Sequence, residues 1–207
     1  MTGPRSYADP CGIARALDAV GERWALLIVR ELVLGPRRFT DLRAALGASP
    51  NVLSQRLGEL EAAGVVRQRT VGAALYEVTD WGRGLHPILV ELGRWGARSP
   101  APRRGELSVD ALMLALEATF VPERAADLRV LYELRLGEER FALLVDAGRL
   151  EASRSTPPSP DAIITTDAAT LRAVAFGDSK LANSEIQIRG DAALGRRFFK
   201  LFSRPAA

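Results

Sequence analysis

Apolar residues recur at helical spacing through the first half of the chain. Ile13, Ala16, Leu17 and Val20 share one face, and Gly21 is placed to end that helix. Trp24, Leu27, Ile28 and Leu32 predict a second helix, stopped by Gly35-Pro36. Thr40 is placed to cap a short helix holding Leu42, Ala45 and Leu46, which stops at Gly47. Ser49-Pro50 reads as the N-cap and first residue of a further helix. Its apolar stripe is Leu53, Leu57 and Leu60, the spacing of a buried face, and Gly64 closes it. The period then changes from helical to alternating. Val65 to Thr70 and Leu75 to Thr79 predict two strands, joined as a hairpin by Val71-Gly72-Ala73-Ala74. Asp80 is placed to cap a long helix reaching about Arg98, with Leu85, Ile88, Leu89, Leu92 and Trp95 on one face. Leu85, Leu89, Leu92 and Trp95 are more apolar surface than a lone small domain covers, which predicts an interface between two copies.

Ser99-Pro100-Ala101-Pro102-Arg103-Arg104-Gly105 interrupts every pattern and reads as a linker. Two domains are expected, at 1–98 and 106–204, with 99–105 between them. In the second, Val109 to Phe120 predicts an amphipathic helix with Leu112, Leu116 and Phe120 in line. Leu128 to Leu136, Arg140 to Asp146 and Arg149 to Arg154 predict three antiparallel strands, with turns at Glu138-Glu139 and Ala147-Gly148. Pro157-Pro158-Ser159-Pro160 forces an extended loop. Asp161 to Thr166 and Ser184 to Arg189 predict two more strands around a helix at Ala168 to Phe176. A last helix carries Leu194, Phe198, Leu201 and Phe202 on one side. The fold class is therefore α+β: a mostly helical N-terminal domain with a hairpin, then an α+β domain with an antiparallel-rich sheet.

Composition narrows the function classes. At 207 residues, 47% hydrophobic and 26% charged, the chain can bury a core without staples. The net charge of +3 sits wholly in residues 1–98, which hold 13 Arg and 10 acids; the remainder is neutral. Arg outnumbers Lys 26 to 2, which carries no functional weight. One cysteine excludes an intramolecular disulfide. A single Cys and a single His cannot assemble an ordinary zinc site, and His86 reads as a surface or packed residue. There is no G-x-S-x-G, P-loop or GxGxxG, so neither catalytic residues nor a cofactor are expected. Met1 to Pro10 is polar, and no apolar run reaches the roughly 18 residues of a membrane span, so a cytoplasmic protein is expected.

Two helices joined by a tight turn, followed by a hairpin, spell a winged helix-turn-helix. The helix after Ser49-Pro50 fits a major groove, which admits one α-helix. Asn51, Ser54, Gln55 and Gly58 lie opposite its leucine stripe. Asn and Gln pair bidentately with adenine, Ser donates or accepts, and Gly58 allows close approach. Arg56 at the flank, Arg37, Arg38 and the Thr40 helix N-terminus are candidates for phosphate. Arg67 and Arg69 on the hairpin are candidates for the backbone or minor groove. Taken singly, each Arg also fits a solvated surface residue; the ordered set is what points to DNA.

Residues 11 to 96 resemble the HxlR-type winged-helix regulators. The matching segments are Cys11, Gly21-Glu22-Arg23-Trp24, the run Gly35 to Leu42, the run Ser49 to Leu57, and Tyr76-Glu77-Val78-Thr79. The tip at 71–74 departs from the pattern: it is shorter and lacks a proline-rich or basic insertion, which puts minor-groove contacts there in doubt. The resemblance implies homodimers that bind a DNA operator, with terminal helices in the dimer contact. A repressor is the simpler reading, since a bound dimer blocks polymerase without a second contact.

Some relatives use a cysteine at this place as a redox or electrophile sensor. Cys11 at a helix N-terminus fits a reactive thiolate, and it also fits an inert buried thiol, the commoner state of a cysteine. The second half resembles the SCP2-like (sterol carrier) domain in Asp161 to Asp167 and Ile186 to Leu194. That resemblance implies a cavity for a fatty-acyl or sterol-like ligand, lined by Leu134, Leu143, Phe176, Ile188, Phe198 and Phe202, and a ligand-modulated regulator. The same residues fit an ordinary core. Two other classes remain open: a small lipid-binding protein, and a protein-protein adaptor whose winged helix meets a partner.

Overall fold

The computed structural model describes residues 6–71, 73–101, 107–177 and 179–203. The chain divides into two compact units, Met1–Leu89 and Val90–Ala207. The division falls inside a helix rather than at the linker. Arg94, beyond the division, donates to the carbonyls of Glu117 and Ala118. Of the expected linker, residues 102–105 lie outside the described residues, as does Gly72 at the hairpin tip.

The first unit opens with α1 (Gly12–Val20) and α2 (Ala25–Leu32). A two-residue strand, β1 (Arg37–Arg38), leads directly into α3 (Phe39–Leu46). The N-cap of α3 is therefore Arg38, and Thr40 sits within the first turn rather than at the cap. The Asp41 carboxylate accepts from the Arg38 N–H at 3.3 Å, the half of a capping box in which the third helical residue reaches back to the cap. Gly47 ends α3 at φ +63°, a conformation that favours glycine. Ser49 then caps α4 (Pro50–Ala62), its hydroxyl accepting from the Val52 N–H, with Pro50 in the first turn.

β2 (Val66–Val71) and β3 (Ala73–Val78) form the antiparallel hairpin, and β1 adds to its other edge in the order β1-β3-β2. Thr79, not Asp80, caps the next helix by accepting from the Gly82 N–H. The expected long helix is two: α5 (Asp80–Arg83) and α6 (Leu85–Gly96), parted at Gly84. Gly82 is a packing requirement, because a Cβ there would meet the Val65 carbonyl oxygen at 2.1 Å. Ile28, Val29, Leu32, Leu42, Leu53, Leu57 and Leu60 form the core of this unit, each 1% exposed or less. Burying each such side chain stabilises by about 1.5–3 kcal/mol.

The second unit is one five-stranded sheet with helices on one face. Its elements are α7 (Val109–Thr119), β4 (Arg129–Leu136), β5 (Glu139–Asp146), β6 (Arg149–Ser153), β7 (Ala162–Thr166), α8 (Ala168–Phe176), β8 (Gln187–Gly190) and α9 (Ala192–Phe198). Strand order is β6-β5-β4-β7-β8. The three antiparallel strands expected from the pattern are β4, β5 and β6, while β7 joins β4 in parallel. Val130, Tyr132, Leu134 and Leu136 of β4, with Phe141, Leu143 and Val145 of β5, supply the buried face. α9 closes on β8 through Gly195, where a Cβ would come within 2.3 Å of the Ile188 side chain.

Candidate nucleic-acid interface

The face of α4 is decided by burial on one side. Leu53, Leu57 and Leu60 are at most 1% exposed, so Asn51, Ser54, Gln55 and Gly58 are turned out, and all four are exposed. A Cβ at Gly58 would meet nothing within 4 Å, so this stretch of the helix is open. Gln55 Nε2 donates to Glu59 Oε1 at 2.9 Å, which holds the amide along the helix rather than in the core. Burial pushes the Glu59 carboxyl up, and the hydrogen bonds from Gln55 and Arg56 outweigh it, leaving its pKa lowered.

The five candidate arginines and Thr40 divide by what already holds them. Arg56 is half-buried, pairs with Glu59, and reaches Glu22 Oε2 at 3.3 Å. Its guanidinium ties α4 to the turn ahead of α2. Arg67 and Arg69 converge on Glu77, with Nε and Nη1 at 2.7 and 3.2 Å from its two oxygens. Glu77 is buried; burial raises its pKa, and the two arginines more than reverse this, so it is lowered overall. An exposed ion pair contributes about 0–1 kcal/mol, whereas leaving a buried carboxylate unpaired costs several times that. Both wing arginines therefore serve Glu77 first, with half their surface still open to solvent.

Arg37 is 8% exposed, its Cα opposite Tyr76 in the strand register. Arg38 beside it is exposed and makes no ion pair among the described residues. Thr40 is exposed, its hydroxyl 3.3 Å from Asp41 Oδ1. Arg43 follows Thr40 by three residues on α3 and is also exposed. It was missed as a candidate, although its i+3 spacing from Thr40 is a sufficient signal. Thus Arg38, Thr40 and Arg43 are accessible, while Arg37, Arg56, Arg67 and Arg69 also have structural partners or burial.

Cys11 is exposed at the N-cap of α1. The main-chain N–H groups at Ala14 and Ile13 lower its thiol pKa against slight desolvation, although the thiol accepts no capping hydrogen bond. No group of three or more His, Cys, Asp or Glu is placed to hold a metal among the described residues. Nor is any helix among them long and apolar enough to cross a membrane.

Four of the six residues considered for an apolar pocket lie in the core of the second unit. Leu134, Leu143 and Phe198 are fully buried and Phe202 nearly so. Phe198 packs edge-on against Tyr132, Phe199 and Phe202, with ring centroids 5.0–5.2 Å apart. Phe176 and Ile188 are half-buried, Ile188 against Gly195. Phe202 alone of the six also lines a surface groove of about 890 Å³ beside α9.

Comparison with known proteins gives the first unit its lineage. A family model described as HxlR-like helix-turn-helix matches residues 19–103. The uncharacterized HTH-type transcriptional regulator YvaP of Bacillus subtilis is 42% identical over 86 residues, covering 39% of this chain and 80% of that protein. The uncharacterized HTH-type transcriptional regulator Rv3095 of Mycobacterium tuberculosis is 40% identical over 88 residues, covering 41% of this chain; the match spans 56% of that relative's length. Among solved structures, the redox regulator HypR in its oxidized form is 27% identical, covering 44% of this chain and 100% of that one, at a TM-score of 0.42. The chain belongs to the HxlR-like helix-turn-helix family of transcriptional regulators.

Proposed function

We propose that this protein is a homodimeric repressor that reads its operator with α4. The observation that carries the reading is the two-sidedness of that helix. Leucines fix one side in the core, and Asn51, Ser54 and Gln55 stand exposed on the other, with Gly58 on the same open face. Those side chains suit base edges in the major groove. Arg38, Thr40 and Arg43 suit phosphates, which position the helix without reading sequence. The dimer is supported by Ile88, Leu92 and Trp95, which form an exposed stripe along α6 with Trp95 at 69%. Leu89, expected in the stripe, is buried instead, and Leu85 is half-buried. A gel shift against fragments of the source genome, across a salt series, tests this reading. A retarded, salt-sensitive complex with particular fragments supports it; equal affinity for every fragment contradicts it.

A second reading is favoured by Cys11, whose thiol is exposed and of lowered pKa. Hydrogen peroxide would oxidise the thiolate to the sulfenic acid, its O–O bond breaking with release of hydroxide. The Cys11 thiolate of a second copy would then displace hydroxide to form an intermolecular disulfide. Two electrons pass from the two sulfurs to the peroxide. Alkylation rates against pH test the premise: the midpoint should fall below that of an ordinary thiol. A disulfide-linked dimer with altered operator affinity, absent in Cys11→Ser, is the expected outcome.

We read the second unit as an SCP2-like effector domain, on the support of its element order and its helices gathered on one sheet face.

A further inference from the structure

Gln55 does not stand alone on the open face of α4. Its Nε2 donates to Glu59 Oε1 at 2.9 Å, one helical turn further on. The other oxygen of that carboxylate, Oε2, accepts from Arg56 Nη1, and Arg56 Nη2 lies 3.3 Å from Glu22 Oε2. Glu22, Arg56, Glu59 and Gln55 thus form one chain of contacts, from the turn ahead of α2 to the outward face of α4. Arg56 is its half-buried member, and the other three are exposed. An ionised carboxylate only accepts, so the Gln55 atom facing Glu59 must be the amide nitrogen. One of the two amide N–H groups is engaged there. What remains for a groove is one N–H donor and the carbonyl acceptor. Adenine presents the matching pair on its major-groove edge, N7 to accept and N6–H to donate, whereas guanine presents two acceptors, N7 and O6. A free glutamine amide can turn its NH₂ group to both guanine acceptors; one held by Glu59 has a single N–H to give. Cytosine would use the carbonyl alone, and thymine the N–H alone.

We propose that Glu59, braced by Arg56, is a positioning residue that sets the Gln55 amide to read adenine and to reject guanine. This role rests on α4 being the helix that meets the operator. Glu59 acts through Gln55 rather than through a base of its own. Holding the amide before DNA arrives also removes rotamer freedom that binding would otherwise have to freeze. Arg56 offsets the carboxylate's charge, which by itself would repel the phosphates on either side of a groove.

The test is a base-by-base substitution scan of an operator fragment selected from the source genome. Anisotropy titrations at one salt concentration compare the full chain with Gln55→Ala, Glu59→Gln and the double variant. Both side chains are exposed, so folding is not at stake. The base that Gln55 reads is the one whose replacement ceases to matter in Gln55→Ala. It is expected to be adenine, and guanine in its place should weaken wild-type binding by about tenfold. Glu59→Gln keeps the side chain's size but donates as well as accepts, so it no longer dictates which way the Gln55 amide points. The adenine-over-guanine ratio should fall by about threefold or more in that variant. Its binding to scrambled DNA should stay level or tighten, because an acid near the phosphates is gone. A residue that only supports the helix would instead lose affinity for both DNAs. In the double variant the ratio should equal that of Gln55→Ala. Any base other than adenine at the Gln55 position overturns the proposal. So does an unchanged ratio in Glu59→Gln, an equal loss on operator and scrambled DNA, or a Glu59→Gln effect on the ratio that persists when Gln55 is alanine. Wild-type preference for operator over scrambled DNA is read separately. Where it is present, these failures strike the role of Glu59 alone; its absence contradicts operator reading by α4 and the role of Glu59 with it.

Discussion

Gln55 and Arg38 separate the two kinds of contact a DNA reader makes. Gln55→Ala should cost about 1–3 kcal/mol at the preferred operator and leave non-specific binding nearly unchanged. Arg38→Ala should weaken specific and non-specific binding together and lower the salt slope by about one. Anisotropy titrations at several salt concentrations measure both; an unchanged operator preference in Gln55→Ala contradicts the groove assignment. Arg37 is a poor choice for the same experiment, since its burial makes its removal a stability change. A separate residue-scale prediction concerns the turn between β5 and β6. Ala147 and Gly148 both have positive φ, +47° and +73°, the pattern of a type I′ turn. Alanine carries a steric penalty there that glycine and asparagine avoid. Ala147→Gly or Ala147→Asn should raise stability by about 0.5–1 kcal/mol in urea melts. A lowered midpoint would show that the turn is not limiting.

At the scale of elements, helices were the most legible part of the sequence. Leu53, Leu57 and Leu60 define α4 because a helix face follows from local spacing alone. β1 was invisible: two arginines offer no alternation, and what makes them a strand is pairing with Leu75 and Tyr76. The break at Gly84 was read through because α5 and α6 continue the same apolar period. The candidate site was legible where the helix face decides it, at Asn51, Ser54 and Gln55. It was not legible where a distant acid decides it, as for Arg56 with Glu22 and for Arg67 and Arg69 with Glu77. The second unit makes the same point. Asp110 of α7 is fully buried and pairs with Arg154, which also reaches Glu139 and stacks on Phe141 at 4.8 Å. Nothing local in the sequence joins positions 110, 139 and 154. Removing Asp110 leaves Arg154 its Glu139 partner and its place on Phe141, so Asp110→Ala should cost about 1–3 kcal/mol rather than the full penalty of a stranded charge. Equilibrium unfolding checks it, and a loss below about 1 kcal/mol would mean the pair is solvated rather than buried.

At the scale of the molecule, the net charge of +3 is too small to identify a nucleic-acid partner. Placement is what points to DNA: a presented helix face, accessible phosphate partners, and an uncovered stripe on α6. That stripe predicts that Leu92→Asp with Trp95→Asp yields a folded monomer by sedimentation and weakens operator binding, because two linked half-site contacts become one. An unchanged dimer would place the interface elsewhere. The measurement that tests the central claim most directly is selection of bound fragments from the source genome, followed by anisotropy titration of wild type and Gln55→Ala at physiological salt. The account predicts a pseudo-palindromic site with half-sites about one helical turn apart. It should be bound at least about a thousandfold more tightly than a scrambled sequence, with the preference reduced in the variant. Equal affinity for operator and scrambled DNA, or a preference that survives Gln55→Ala unchanged, would contradict it.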